Sequence, residues 1–202
     1  MVIALCALGF YELGSDINTS VAVARFDAAA TRFIRSFRSP AMDFAMKIIT
    51  HTASILGMSL LTLALFLYLR RMGRNPEAAA TVILVIGGVA LADTFKRVFK
   101  RVRPAEALAL IRQPGSASFP SGHSMSSLCW AMAAANAIML APNATPLTKV
   151  VVCVLCALYA LAVGVSRVYL GVHHASDVAA AWLLGLAWAS AVTGFYYWRR
   201  KY

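Results

Sequence analysis

Residues 166–177 set Arg167, His173 and Asp177 between two long apolar runs. With Val172 onward opening the last helix, His173 and Asp177 fall four residues apart and share a face. A carboxylate beside an imidazole fixes its tautomer and stabilises the imidazolium, which makes the other ring nitrogen a better nucleophile or base. Arg167 adds a planar fork suited to an anion such as phosphate. Taken alone, a His–Asp pair at this spacing is also what an ordinary helix surface carries, so the chemical reading needs further support.

Two more stretches supply it. Residues 96–104 hold Lys96 and Arg103, two helical turns apart and so on one face, followed by Pro104. Such a cluster also suits a plain basic collar at a membrane surface. Residues 118–124 put Pro120, Ser121, Gly122 and His123 at the start of an apolar helix, where free backbone N–H groups make a natural anion site. Ser121 can add a hydroxyl donor, and His123 stands where it can give a proton to a leaving oxygen. The plain alternative is an N-cap with a lone histidine. Lysine, arginines, N–H donors, two histidines and an aspartate on one side of the chain share one chemistry. Cations and N–H groups neutralise phosphate oxygens, one histidine attacks, and the other protonates the leaving group.

The elements that must hold these residues are membrane helices. The chain of 202 residues is 60% hydrophobic and 13% charged, with mean hydropathy +0.71, against about 25% charged in soluble domains. The reading is an all-α, polytopic membrane helix bundle forming one domain over residues 1–202. Full spans are expected at 52–69, 78–95, 124–141, 147–165 and 178–198, and a short or truncated first span at 1–13, which is about 20 Å long as a helix. Residues 25–38 alternate phenylalanine and arginine at helical spacing, as in an interfacial amphipathic helix or one packed on the bundle, and Pro40 is expected to end it.

The net charge of +11 points to anionic lipid as a partner. No segment is polar and long enough to build a nucleic-acid-binding domain. Cys6, Cys129, Cys153 and Cys156 sit in apolar runs and read as buried thiols rather than metal or redox ligands. A count of lysine and arginine puts the side bearing the three polar stretches in the cytoplasm, although several of those cations are the ones a phosphate site would claim.

The pattern Lys96-x6-Arg103-Pro104, Pro120-Ser121-Gly122-His123 and Ser166-Arg167-x5-His173-x3-Asp177 resembles, in residue, spacing and order, the three signature motifs of the type 2 phosphatidic acid phosphatase superfamily. That family includes bacterial lipid phosphatases, glucose-6-phosphatase and vanadium haloperoxidases. The resemblance implies an all-helical, six-span plan, phosphate bound by Lys96, Arg103 and Arg167 with help from Ser121 and the Gly122 N–H, and no metal or cofactor. It further implies His173 as the nucleophile that forms a phosphohistidine, Asp177 as its orienting partner and His123 as general acid. His174 and Asp93 fall outside the motifs and are expected to be structural. The site is expected at the extracytoplasmic face of a bacterial inner or plasma membrane, against the raw charge count. The expected activity is hydrolysis of a lipid phosphate or diphosphate. Undecaprenyl diphosphate is slightly favoured, with phosphatidylglycerophosphate, phosphatidic acid and lipid A phosphates as other substrates. A lipid-headgroup-binding or translocating protein is the alternative from another class, and a vanadate-dependent oxidase is a third, disfavoured by the membrane character.

Overall fold

Serine and threonine hydroxyls set most of the helix starts. In the computed structural model, which describes residues 1–201 and the side chains of residues 1–198, α2 (Val21–Arg35), α3 (Pro40–Thr52), α4 (Ile55–Arg71), α6 (Gly122–Met139) and α7 (Pro146–Tyr169) are capped by the side chains of Ser20, Ser39, Ser54, Ser121 and Thr145. Each hydroxyl accepts one of the backbone N–H groups that a first turn leaves free. Prolines stand in the first turn of α3, α7 and α5 (Asn75–Phe99), where a missing N–H costs nothing. Helices α1 (Val2–Asp16) and α8 (Ala175–Lys201) complete the set, and a short 3-10 turn covers Glu106–Leu108. The described residues form helices and loops and include no strand.

Helix α6 lies at the centre, packed on α5, α7 and α8, while α1 packs along α8. Its Met125, Cys129 and Ala133 meet Leu84 and Val85 of α5, Val163 of α7, and Ala181 and Ala189 of α8. The close approach of α7 and α8 depends on Gly164, where a Cβ would lie 2.3 Å from the Trp182 ring. All four cysteines are free; Cys129 and Cys156 are buried, and Cys6 and Cys153 are partly so.

Five full spans were expected, and the described helices give fewer. Three are long and apolar enough to cross a membrane, Asn75–Phe99, Pro146–Tyr169 and the segment Ala175–Trp198 of α8. Helices α3 and α4 pass together as a fourth, bent by 57° at the break between them. Helix α6 spends its first turns on Ser124, Ser126 and Ser127, buried against neighbouring helices, so its sequence carries less apolar signal than a lipid-facing span. Helix α1 has 15 residues and is about 22 Å long, in keeping with a short first span.

Two boundaries also differ from expectation. Helix α2 stops at Arg35, and Pro40 opens α3, an element the sequence reading did not contain. Of the two readings of residues 25–38, the packed one describes one face of α2. Its stripe of Val23, Asp27 and Ile34 packs on the bundle, while Phe26, Phe33 and Phe37 remain exposed beside its arginines. The basic tail at 199–201, which the lysine and arginine count places on the side opposite the three polar stretches, lies beyond the described side chains, and Tyr202 lies outside the described residues.

Candidate active site

The three polar stretches converge at one end of the bundle, where α5 and α7 end and α6 and α8 begin. A cavity of about 880 Å³ opens there, with Lys96, Arg103, Gly122, His123, Arg167 and His173 at its polar end.

Helix α5 delivers Lys96 in its last turn and stops at Lys100, whose left-handed backbone (φ 47°) ends the helix. Arg103 therefore lies in the following loop, and it meets Lys96 through the path of that loop rather than by helical repeat. Its side chain is held from several sides. Nε donates to the Ser116 carbonyl at 2.8 Å, Nη1 donates to the Val172 carbonyl at 2.7 Å, and Nη1 also lies 3.2 Å from His173 Nε2. Lys96 pairs with Asp93 at 3.7 Å. A Cβ on Gly122 would stand 3.3 Å from the Lys96 amine, so glycine there lets the ammonium reach the start of α6. Arg167, in the last turn of α7, is buried. Its Nη1 donates to the Thr50 hydroxyl of α3, while Nε is buried with no hydrogen-bond partner among the described residues. A buried guanidinium N–H without a partner is costly, and an anion in the cavity beside it would supply one.

His173 does not lie in the last helix as expected. It sits in the turn that follows Gly171, two residues before α8 begins at Ala175. Gly171 adopts φ 69°, and a Cβ there would stand 2.3 Å from the Leu108 carbonyl oxygen. The His173–Asp177 contact survives this change of setting. Asp177, in the first turn of α8, accepts the His174 N–H at 2.9 Å on the same Oδ2 that lies 3.3 Å from His173 Nδ1. Ser118 donates its hydroxyl to that oxygen as well. These partners assign the ring proton to Nδ1 and leave Nε2 as an acceptor facing Arg103 Nη1 at the cavity's polar end. Burial pushes the His173 pKa down to about 3, with Asp177 opposing the shift, so the imidazole is neutral at physiological pH.

His123 lines the same cavity from the first turn of α6. Ser121 does not line it. Its hydroxyl is fully buried and caps α6, accepting from Ser124 Oγ at 2.9 Å. His174 stands apart, with Nε2 at 3.3 Å from the Val102 carbonyl. Among the described residues, no group of three or more His, Cys, Asp or Glu side chains is placed to hold a metal ion.

Sequence reasoning missed Thr50, Ser118, Asp27 and Arg101, all buried and all tied into this polar end. Arg101 was one of several basic residues in the 96–104 stretch. Asp27 is the lone acid in an arginine-bearing helix, and that oddity was the available signal.

Away from the polar end, the cavity runs between α4 and α5, along Met58, Leu63, Phe66, Val85, Ile86 and Val89. Leu63, Ile86 and Val89 of this lining are solvent-exposed, so the cavity is open along the apolar gap between α4 and α5.

Comparison with known proteins gives the family. Phosphatidylglycerophosphatase B of Bacillus subtilis (strain 168) is 33% identical over 193 residues, covering 93% of this chain and 91% of that protein. The crystal structure of a transmembrane PAP2-type phosphatidylglycerolphosphate phosphatase from Bacillus subtilis matches with a TM-score of 0.81 at 29% identity, over 96% of this chain and 94% of that one. Aquifex aeolicus LpxE shares the fold, with a TM-score of 0.61 at 23% identity over 81% of this chain and 92% of that one. A model of the PAP2 superfamily matches residues 77–201, which include every motif residue named above, and the chain belongs to the PAP2 superfamily.

Proposed function

We propose that this PAP2 phosphatase removes the terminal phosphate of a membrane lipid through a phosphohistidine on His173, with the whole chain 1–202 acting as one integral-membrane domain. The observation that carries the reading is His173 itself, backed by Asp177 and lining a cavity that joins a cationic end to an apolar lateral opening. Lys96, Arg103 and Arg167 hold the phosphate oxygens, with the Gly122 N–H assisting and Ser121 shaping the start of α6. His173 Nε2 attacks phosphorus, a P–N bond forms, and the P–O bond to the leaving group breaks. His123 gives that oxygen its proton. Water then attacks the phosphohistidine and gives a proton to His123, a P–O bond forms, the P–N bond to His173 breaks, and inorganic phosphate leaves.

The lateral opening supports a lipid substrate, because a phosphate can sit at the cations while its tail stays between α4 and α5. Motif resemblance alone slightly favoured undecaprenyl diphosphate. A relative that is 33% identical and named a phosphatidylglycerophosphatase moves phosphatidylglycerophosphate to first place, with undecaprenyl diphosphate and phosphatidic acid behind it. A protein that only bound or moved headgroups would need the cations but would have no use for two histidines and a backing carboxylate. We also propose that α1 and α6 lie within the bilayer, and that the site faces the extracytoplasmic side, as the family resemblance implies.

Purified protein assayed for phosphate release on a panel of these lipids, in excess EDTA, tests the reading. Release from phosphatidylglycerophosphate without added metal is expected, because three cationic side chains already supply the charge a metal would bring. No release from any lipid, with the lipids still bound, would leave the headgroup-binding alternative standing. Activity lost on chelation and restored by magnesium would overturn the metal-free mechanism.

A further inference from the structure

The hydrogen bonds around His173 do not end at Asp177. Arg101, in the loop after α5 and buried, reaches Asp177 Oδ1 with Nη1 at 2.6 Å and the Ser176 hydroxyl with the same nitrogen at 2.8 Å. Its Nη2 reaches Asp27 Oδ2 on α2 at 2.8 Å. Asp27 closes the ring. Its Oδ1 accepts the Ser176 N–H at 2.8 Å, and its Oδ2 accepts the Ser176 hydroxyl at 2.7 Å. One guanidinium therefore stands between two buried carboxylates, one beside the imidazole and the other on a helix that lies outside the family motifs.

Packing alone does not ask for this arrangement. The neighbours of Asp27 on the buried stripe of α2 are Val23 and Ile34, and an apolar residue at 27 would continue that stripe without the cost of burying a charge. The carboxylate has a consequence at Asp177. An arginine paired with Asp177 alone would neutralise it and weaken its hold on the His173 ring. Sharing that arginine with a second carboxylate leaves Asp177 more of its charge for the imidazole. The fork geometry of Arg101 meanwhile fixes the rotamer of the Asp177 side chain.

We propose that Asp27 and Arg101 are positioning residues for the Asp177–His173 pair, so that α2 is part of the catalytic apparatus. Arg101 orients the carboxylate, and Asp27 keeps it from being neutralised. The proposal rests on the reading of His173 as nucleophile.

The test is a cycle on the full-length, detergent-purified protein. Asp27→Asn is made in the wild type and in Asp177→Asn, and kcat, KM and the vanadate inhibition constant are measured for each. In the wild-type background kcat is expected to fall ~10- to 100-fold, by analogy with the cost of removing the partner that orients a metal-ligating side chain. KM and vanadate affinity stay near their original values, because the phosphate cradle is untouched. In the Asp177→Asn background the same change adds little, since what it acts through is already gone. A loss of equal size in both backgrounds, a loss of vanadate affinity matching the loss in kcat, or an unchanged kcat in the wild-type background would each overturn the proposal. If Asp27→Asn does not fold, Arg101→Lys reads the same relay, because an ammonium keeps the charge but cannot present a fork to both carboxylates. The same selective fall in kcat is expected of it, and wild-type turnover contradicts the relay. Loss of folding in both variants would assign the pair to stability and also overturn it. Should Asp177→Asn alone retain full activity, the phosphohistidine reading itself fails. A defective Asp177→Asn beside a normal Asp27→Asn removes only the relay.

Discussion

The two histidines in the cavity separate by the bond each one handles. His173→Ala removes the group that attacks phosphorus, so turnover is expected to fall ~10³-fold or more on every substrate. The check is steady-state phosphate release from both a lipid phosphate and p-nitrophenyl phosphate, with thermal melting to show that the fold persists. Near-normal release from a folded variant would remove His173 from the nucleophile role. His123→Ala behaves differently if the residue is a general acid. An alkoxide leaving from a lipid monophosphate needs a proton, whereas nitrophenolate leaves as a stable anion. The loss is expected to be ~10²- to 10⁴-fold on the lipid and clearly smaller on p-nitrophenyl phosphate. Vanadate inhibition serves as the control for a distorted pocket, because it reports on Lys96, Arg103 and Arg167. Equal losses on both substrates with unchanged vanadate affinity would leave His123 as a phosphate ligand or a helix-start residue.

At the scale of elements, the passage between α4 and α5 is the testable part. Val89 of α5 lines the cavity and is also exposed at its lateral opening. Val89→Trp puts an indole into that passage while leaving the polar end alone. For long-chain lipid phosphates, kcat/KM should drop about tenfold or more, the equivalent of ~1.4 kcal/mol of lost tail contact. Turnover of p-nitrophenyl phosphate should hold steady. An equal fall for the tailless substrate would show that the substitution had reached the phosphate end. A wild-type rate on the lipid would mean that the tail takes another path. Helix α3 is the other element of consequence. It brings Thr50 to Arg167, and its Asp43 accepts the Tyr169 hydroxyl at 2.5 Å, so it braces the end of α7 from which Arg167 projects.

For the whole molecule, the testable property is the direction in which it crosses the membrane. Counting lysine and arginine favours a cytoplasmic site, but Lys96, Arg103 and Arg167 line the cavity and Arg101 is buried between two carboxylates. Cations held by anions or substrate are poor witnesses to topology, which weakens that side of the count. A cysteine-free version carrying either Gly115→Cys, in the loop at the site end, or Met72→Cys, in the turn between α4 and α5 at the opposite end, decides the matter. In sealed right-side-out vesicles, a membrane-impermeant maleimide should label the first and spare the second. The reverse pattern would place the site in the cytoplasm.

Much of the site was legible in the sequence because its chemistry lies in local motifs. Lys96, Arg103, Gly122, His123, Arg167, His173 and Asp177 were read from three short stretches, and the fold brings all of them to one end of the bundle. The all-helical, membrane-borne character followed from composition. What the sequence could not carry was anything set by contact between distant segments. Residue 27 meets residue 101 across 74 positions, and Thr50 meets Arg167 across 117. Neither pair leaves a periodicity or a spacing to read, and one buried acid in a basic helix looks like an exposed one until the helix is docked. Among the five expected spans, α6 is the one whose composition falls short of a membrane span, for a related reason. Hydropathy reports contact with lipid, and α6 buries its serines against protein instead. The setting of His173 was likewise decided by the tertiary structure. The chain turns at Gly171 before α8 begins, so the imidazole meets Asp177 from that turn rather than along a helix face.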